Sequence, residues 1–312
     1  MLVKYDIVPL GDFKMKKQLR GSAYLLLATI FWGTTFVAQD AAMNYIQPFT
    51  FQAVRTMLGA ICLLPVIFML DKIEGKSFKK GWQDGKLWLA GLLCGIPLFL
   101  AGNLQQLGIG EGTDPGTAGF LTTMYILFVP LIGLFRKEKA PKLLPISLIL
   151  AVAGLYFLSF SGVARISLGD LLLLACALMY AVQIIVVDKY VNQVDPVRLN
   201  AIQIFFASLA TWVLMLTIDK PTVSAIASCW LPILYSGVLS SAVAFTLQIV
   251  GQKDLPPSLA SLIMSLEAVF AVLTGLLFGE TMSTNKLIGC CLMFVAVILC
   301  QLPERKKKVR ID

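Results

Sequence analysis

Two charged side chains sit where charge is expensive. Glu267 lies about eleven residues into the apolar run 256–278, which at about 1.5 Å per helical residue is near the middle of a membrane. Arg55 lies about seven residues into the run 49–70, closer to its start. Ionisable groups at such depth face a cavity or a partner, because hydrocarbon does not solvate them. Glu267 can therefore bind a cationic group or carry a proton, and Arg55 can hold a carboxylate. A structural pairing, with each other or with another group, is the competing reading. Uncharged polar residues form a second set. Trp32, Thr35 and Gln39 recur at i, i+3 and i+7, on one helix face. Tyr180 and Gln183 repeat that spacing, as do Asn103 and Gln106, with Gln105 beside them. Tyr125 and Gln248 lie in further apolar runs. Such groups bond between helices or line a polar cavity; their concentration in a few segments favours the cavity.

The elements that must position these residues are long apolar runs. Of the 312 residues, 58% are hydrophobic and 14% charged, and the mean hydropathy is +0.81. A soluble chain of this length has too little core to hide that much apolar surface. The runs 21–40, 49–70, 87–109, 115–135, 143–160, 167–187, 198–218, 230–250, 256–278 and 285–302 are each near the length of a membrane-crossing helix. The first follows a basic stretch and reads as a retained helix; Met15 opens that stretch and offers a second start position. The seven cysteines lie inside these runs, form no CxxC pair, and read as small packing residues. With no histidine, His-ligated metal sites and His-based acid–base catalysis are excluded. No nucleotide-binding loop is visible, and neither a cofactor nor a metal is expected.

Charge placement counts and orients the runs. With the N-terminus in the cytoplasm and ten spans, 22 of the 26 Lys and Arg fall in cytoplasmic segments and only Arg165, Lys220 and Lys286 outside. That split supports an even number of spans and two cytoplasmic termini in a multi-pass cell-membrane protein. The net charge of +8 thus reads as a topology signal and not as a nucleic-acid surface.

The chain also repeats itself. At an offset of 148, Gly21 meets Gly169, Trp32 meets Tyr180, Asp40 meets Asp188 and Pro48 meets Pro196. At 143, Gln105 meets Gln248; at 142, Pro115 meets Pro257, Tyr125 meets Glu267, Gly133 meets Gly275 and Glu138 meets Glu280. Each copy has five spans. An odd number makes the second copy enter from the opposite side, the inverted repeat on which many secondary transporters are built. The motifs Gly91-x-x-x-Gly95 and Gly275-x-x-x-Gly279 read as helix contacts, and Pro65, Pro97 and Pro130 as bends.

Several motifs carry a family resemblance. They are Phe31-Trp32-Gly33-Thr34-Thr35-Phe36, Gly119-Phe120-Leu121-Thr122 with Val129-Pro130-Leu131, and Ser265-Leu266-Glu267-Ala268-Val269-Phe270-Ala271 running to Phe278-Gly279-Glu280. With the duplication, the chain resembles the drug/metabolite transporter superfamily, specifically its ten-span EamA-type exporters, over about residues 21–302. Ala268 stands where many members place a proline. The resemblance implies an all-α membrane basket with a central solute cavity lined by spans 1, 3, 4, 6, 8 and 9. Spans 5 and 10 are then peripheral.

The expected organisation is a cytoplasmic segment 1–20, five-helix repeats 21–160 and 168–302, and a basic tail 303–312. The expected function is export of small organic solutes (amino acids, related metabolites or drugs) by alternating access. Glu267 is the proton-coupling group in this reading. A facilitator without ion coupling, an intramembrane enzyme on lipid-like substrate, and a scaffold or receptor are the competing classes. The expected partners are a small-molecule solute and the lipid bilayer, with no nucleic acid, in a monomer or homodimer.

Overall fold

Proline and short polar side chains decide where the helices begin. Pro48, Pro115, Pro196 and Pro257 each occupy the first turn of a helix, where a missing N–H costs nothing. Asp114, Asp195, Ser167 and Ser283 accept backbone N–H bonds as caps, and Ser167 with Asp170 completes a reciprocal capping box. The computed structural model describes residues 10–136, 142–159, 167–277 and 283–302, without the side chains of 10–14 and 158–159. Glu138, Gly279, Glu280, Arg165 and the basic tail lie outside the described residues.

The membrane helices are α1 (Leu10–Ala42), α2 (Pro48–Ile73), α3 (Gly85–Gly110), α4 (Pro115–Phe135), α5 (Leu144–Ser159), α6 (Leu168–Val191), α7 (Pro196–Asp219), α8 (Trp230–Gln252), α9 (Pro257–Leu277) and α10 (Thr284–Gln301). Among the described residues there is no strand, and nine of these helices are long and apolar enough to cross a membrane; α5 is the shorter one. The bundle is inside-out relative to a soluble protein. Phe68, Leu134, Phe135, Ile149, Val213 and Ile298 are exposed, while Thr29, Gln106, Gln183, Asn200 and Ser261 are fully buried. Hydrocarbon accepts the first set, and the helix interior supplies bonds to the second.

Packing follows the duplication, with each helix of the first half equivalent to the helix five later. Contacts come in matched sets: α3 with α6 and α8 with α1; α3 with α7 and α8 with α2; α1 with α9 and α6 with α4. The pairs α2 with α7, α4 with α9 and α5 with α10 map onto themselves. Single residues obey the same relation. A Cβ on Gly251 would meet the Gly21 carbonyl oxygen at 2.9 Å and Leu25; one on Gly108 would meet that of Gly169 at 2.9 Å and Leu173. Gly21 and Leu25 lie 148 residues before Gly169 and Leu173, so the α1–α8 crossing is built again at α6–α3. Gly91 and Gly95 seat α3 on Ile202 and Gln203 of α7. Ser22 Oγ donates to Gln301 Oε1 at 3.2 Å, which brings the first half of α1 to the end of α10.

Spans α4 and α9 are both interrupted, and not at a proline. Helix stops at Thr122 and resumes at Tyr125; it stops at Met264 and resumes at Glu267. In each break a hydroxyl claims the carbonyl three residues back, Thr123 to Phe120 and Ser265 to Leu262, both at 2.8 Å. That bond competes with the helical ladder. Pro130, by contrast, lies inside the continuing second segment of α4.

Candidate functional site

The two breaks put Tyr125 and Glu267 at the first positions of new helical segments, in the middle of the bundle. There the repeat-related pair meets: Tyr125 Oη donates to Glu267 Oε1 at 3.1 Å. Around this seam lies a cavity of about 480 Å³ of space between atoms, counting its mouth.

Ten of the sequence-expected residues line it. Trp32, Thr35 and Gln39 come from α1, Arg55 from α2, Gln105 from α3, Tyr125 from α4, Tyr180 and Gln183 from α6, Gln248 from α8 and Glu267 from α9. The i, i+3, i+7 spacing on α1 therefore marks one cavity face. Asn103 and Gln106 are not in the wall. Successive helical residues diverge by about 100°, so when Gln105 faces the cavity its neighbours face other helices. Asn103 Nδ2 donates to Thr211 Oγ1 of α7 at 2.9 Å, and Gln106 Nε2 donates to the Gln39 carbonyl of α1 at 3.4 Å. Sequence reasoning missed Phe36, Thr122, Ile184, Ser240, Phe245 and Met264. Phe36 and Thr122 had a signal, since each ends a family motif. The others are apolar or small, and nothing in their type separates them from packing residues.

Glu267 and Arg55 are both 4% exposed, and they are not paired with each other. Arg55 Nε donates to Gln52 Oε1 at 2.8 Å, and the guanidinium lies over Phe51, 5.3 Å from the ring centre. Gln105 Nε2 donates to Thr122 Oγ1 at 3.3 Å. Trp32 and Phe245 meet edge to face with centroids 5.1 Å apart. Toward the face bearing Ser22 and Gln301, an amide chain closes the wall. Gln248 Nε2 donates to Gln183 Oε1 at 3.0 Å, Gln183 Nε2 to Gln203 Oε1 at 3.1 Å, and Gln203 Nε2 to Asn200 Oδ1 at 3.0 Å. Gln252 Nε2 then reaches the Ile184 carbonyl at 3.0 Å.

The sequence profile of the EamA-like transporter family matches residues 19–160 and again 167–301. The chain belongs to the EamA-like transporter family. An "Uncharacterized transporter" of Archaeoglobus fulgidus is 30% identical over 296 residues, 94% of this chain and 89% of that one. The "Uncharacterized transporter YwfM" of Bacillus subtilis is 25% identical, over 92% of this chain and 95% of its own. A protein solved by crystallography superposes with a TM-score of 0.72 at 18% identity, covering 89% of this chain and 95% of its own, a likeness of fold. This EamA-like protein is thus a multi-pass membrane transporter with a cavity of mixed polar and apolar lining where its two repeats meet.

Proposed function

We propose that the protein is a secondary transporter that exports small organic solutes (amino acids, related metabolites or drugs) across the cell membrane by alternating access. Both termini lie in the cytoplasm in this reading. One observation carries it: a cavity lined by polar, charged and aromatic side chains sits on the pseudo-two-fold seam, where repeat partners Tyr125 and Glu267 touch. Two similar halves have two near-equivalent packings, and a site on their axis is exposed to each side in turn. The cavity-lining side chains hold the solute. Glu267 carries the proton that couples flux to a gradient, with Tyr125 as its partner. The distribution of basic residues supports the orientation.

The test is an untargeted comparison of metabolites released by cells with and without the protein. Release of a defined set of small solutes is expected to rise with the protein present. Indistinguishable release profiles would remove the export reading.

A further inference from the structure

We propose that Arg55, positioned by Gln52 and Gly102, is a carboxylate subsite of the cavity, so that the solute is an organic acid with an apolar or aromatic body. This rests on the transport reading above and narrows its solute class.

Arginine stays charged at any working pH, and a buried charge without a counter-charge is costly. Arg55 is buried, yet among the described residues no carboxylate pairs with it. Only its Nε is bonded, to Gln52. The two terminal amino groups carry the parallel donors that match a carboxylate bidentately, and Arg55 is part of the cavity wall. The fork is held from behind. A Cβ at position 102 would lie 2.2 Å from Gln52 Nε2, so Gly102 is the space in which the Gln52 amide sits. Gln52, thus seated, fixes the Nε edge of the guanidinium and leaves its other edge for a ligand.

The second copy supports this by its difference. Gln52 and Arg55 correspond, 148 residues later, to Asn200 and Gln203. The same local bond is kept, but Gln203 is neutral and its carbonyl oxygen is taken by Gln183. Gly102 corresponds, 143 residues later, to Phe245, which lines the cavity against Trp32. A solute at the seam therefore meets a guanidinium from the first half and aromatic rings from both. Glu267 remains available to an amino group on the same molecule, so amino acids with apolar side chains fit as well as simple acids.

The experiment uses the full-length protein in detergent and reads thermal stabilisation by matched compounds. The panel is 3-phenylpropionate, phenylalanine and leucine, their three carboxamides, and phenethylamine. At least one acid is expected to stabilise the wild type at concentrations roughly tenfold or more below its amide, because a site built for a hydrogen-bonding group rejects the analogue lacking it. Gly102→Ala should narrow that ratio by displacing Gln52. Arg55→Gln should erase it, and Arg55→Lys should keep part of it. Equal stabilisation by acid and amide, stabilisation by the amine alone, or no acid binding in the millimolar range overturns the proposal. So does an Arg55→Gln variant that still prefers the acid. Failure of the two readings is distinguishable. If released solutes all lack an acidic group, the carboxylate subsite falls and transport stands; if no solute is released, transport falls as well.

Discussion

In the first half of the chain, Arg55 Nε donates to Gln52 Oε1; 148 residues later, Gln203 Nε2 donates to Asn200 Oδ1. The helical turn and the bond are the same, and the surroundings are not. Gln203 is absorbed into an amide chain through Gln183 and Gln248 that closes one end of the cavity. Arg55 has no such chain and lines the open space. Duplication supplies equivalent backbone positions, and side-chain type then decides which become wall and which become site. The helix ends obey the same logic. Asp71, at the end of α2, pairs with buried Arg198 in the first turn of α7. Its counterpart Asp219, at the end of α7, accepts from Thr50 N at 2.7 Å and Thr50 Oγ1 at 2.8 Å in the first turn of α2. One clamp is ionic and the other neutral-to-charged, at matching places.

The largest effect should come from making the halves alike in the wrong place. Gln203→Arg puts a guanidinium among bonded amides with no carboxylate to meet it. It is expected to cost about 3–5 kcal/mol, the usual scale for an uncompensated buried charge. Thermal melting and size-exclusion recovery measure it; wild-type behaviour would mean the two environments are interchangeable. Next come the clamps. Asp71→Asn leaves Arg198 only the longer contact to Asp195 at 3.6 Å and should lower stability by about 3 kcal/mol, against about 1–2 kcal/mol for Asp219→Asn. Equal melting shifts would break the distinction between them. The glycine crossings should behave identically. Gly108→Ala and Gly251→Ala each push a methyl onto a carbonyl oxygen and a leucine, with an expected cost of about 1–3 kcal/mol. Unequal costs would limit the symmetry to the backbone trace. Smallest is Thr122→Val, which removes a long bond to Gln105 and should change stability by about 0.5–1 kcal/mol.

Much of this was legible in the residue order because hydrocarbon imposes length and polarity rules that leave direct traces. The ten runs, the collinear repeat and the cavity face of α1 follow from those rules. The cavity positions of Arg55 and Glu267 follow from the cost of intramembrane charge. What the sequence hid depends on rotation and on partners. Gln105, Gln106 and Asn103 are chemically alike, and only the angle of α3 assigns one to the cavity and the others to α1 and α7. The breaks in α4 and α9 fall at Thr123 and Ser265 and not at a proline, and the hydroxyl-to-carbonyl bond found there also occurs at Thr29 inside unbroken α1. Serine and threonine occur elsewhere inside unbroken helices, Thr35 and Thr56 among them, so residue type alone does not mark a break. The pairing of Arg55 with Gln203 across the repeat becomes visible once their two hydrogen bonds are compared.

The central claim is that solute and proton share the seam where Tyr125 meets Glu267. The most direct test is flux of a solute found in the metabolite comparison, in proteoliposomes under an imposed pH gradient, for wild type and a folded Glu267→Gln variant. Gradient-driven flux in the wild type and its loss in the variant is the predicted result. Unchanged gradient-driven flux in the variant would contradict the account.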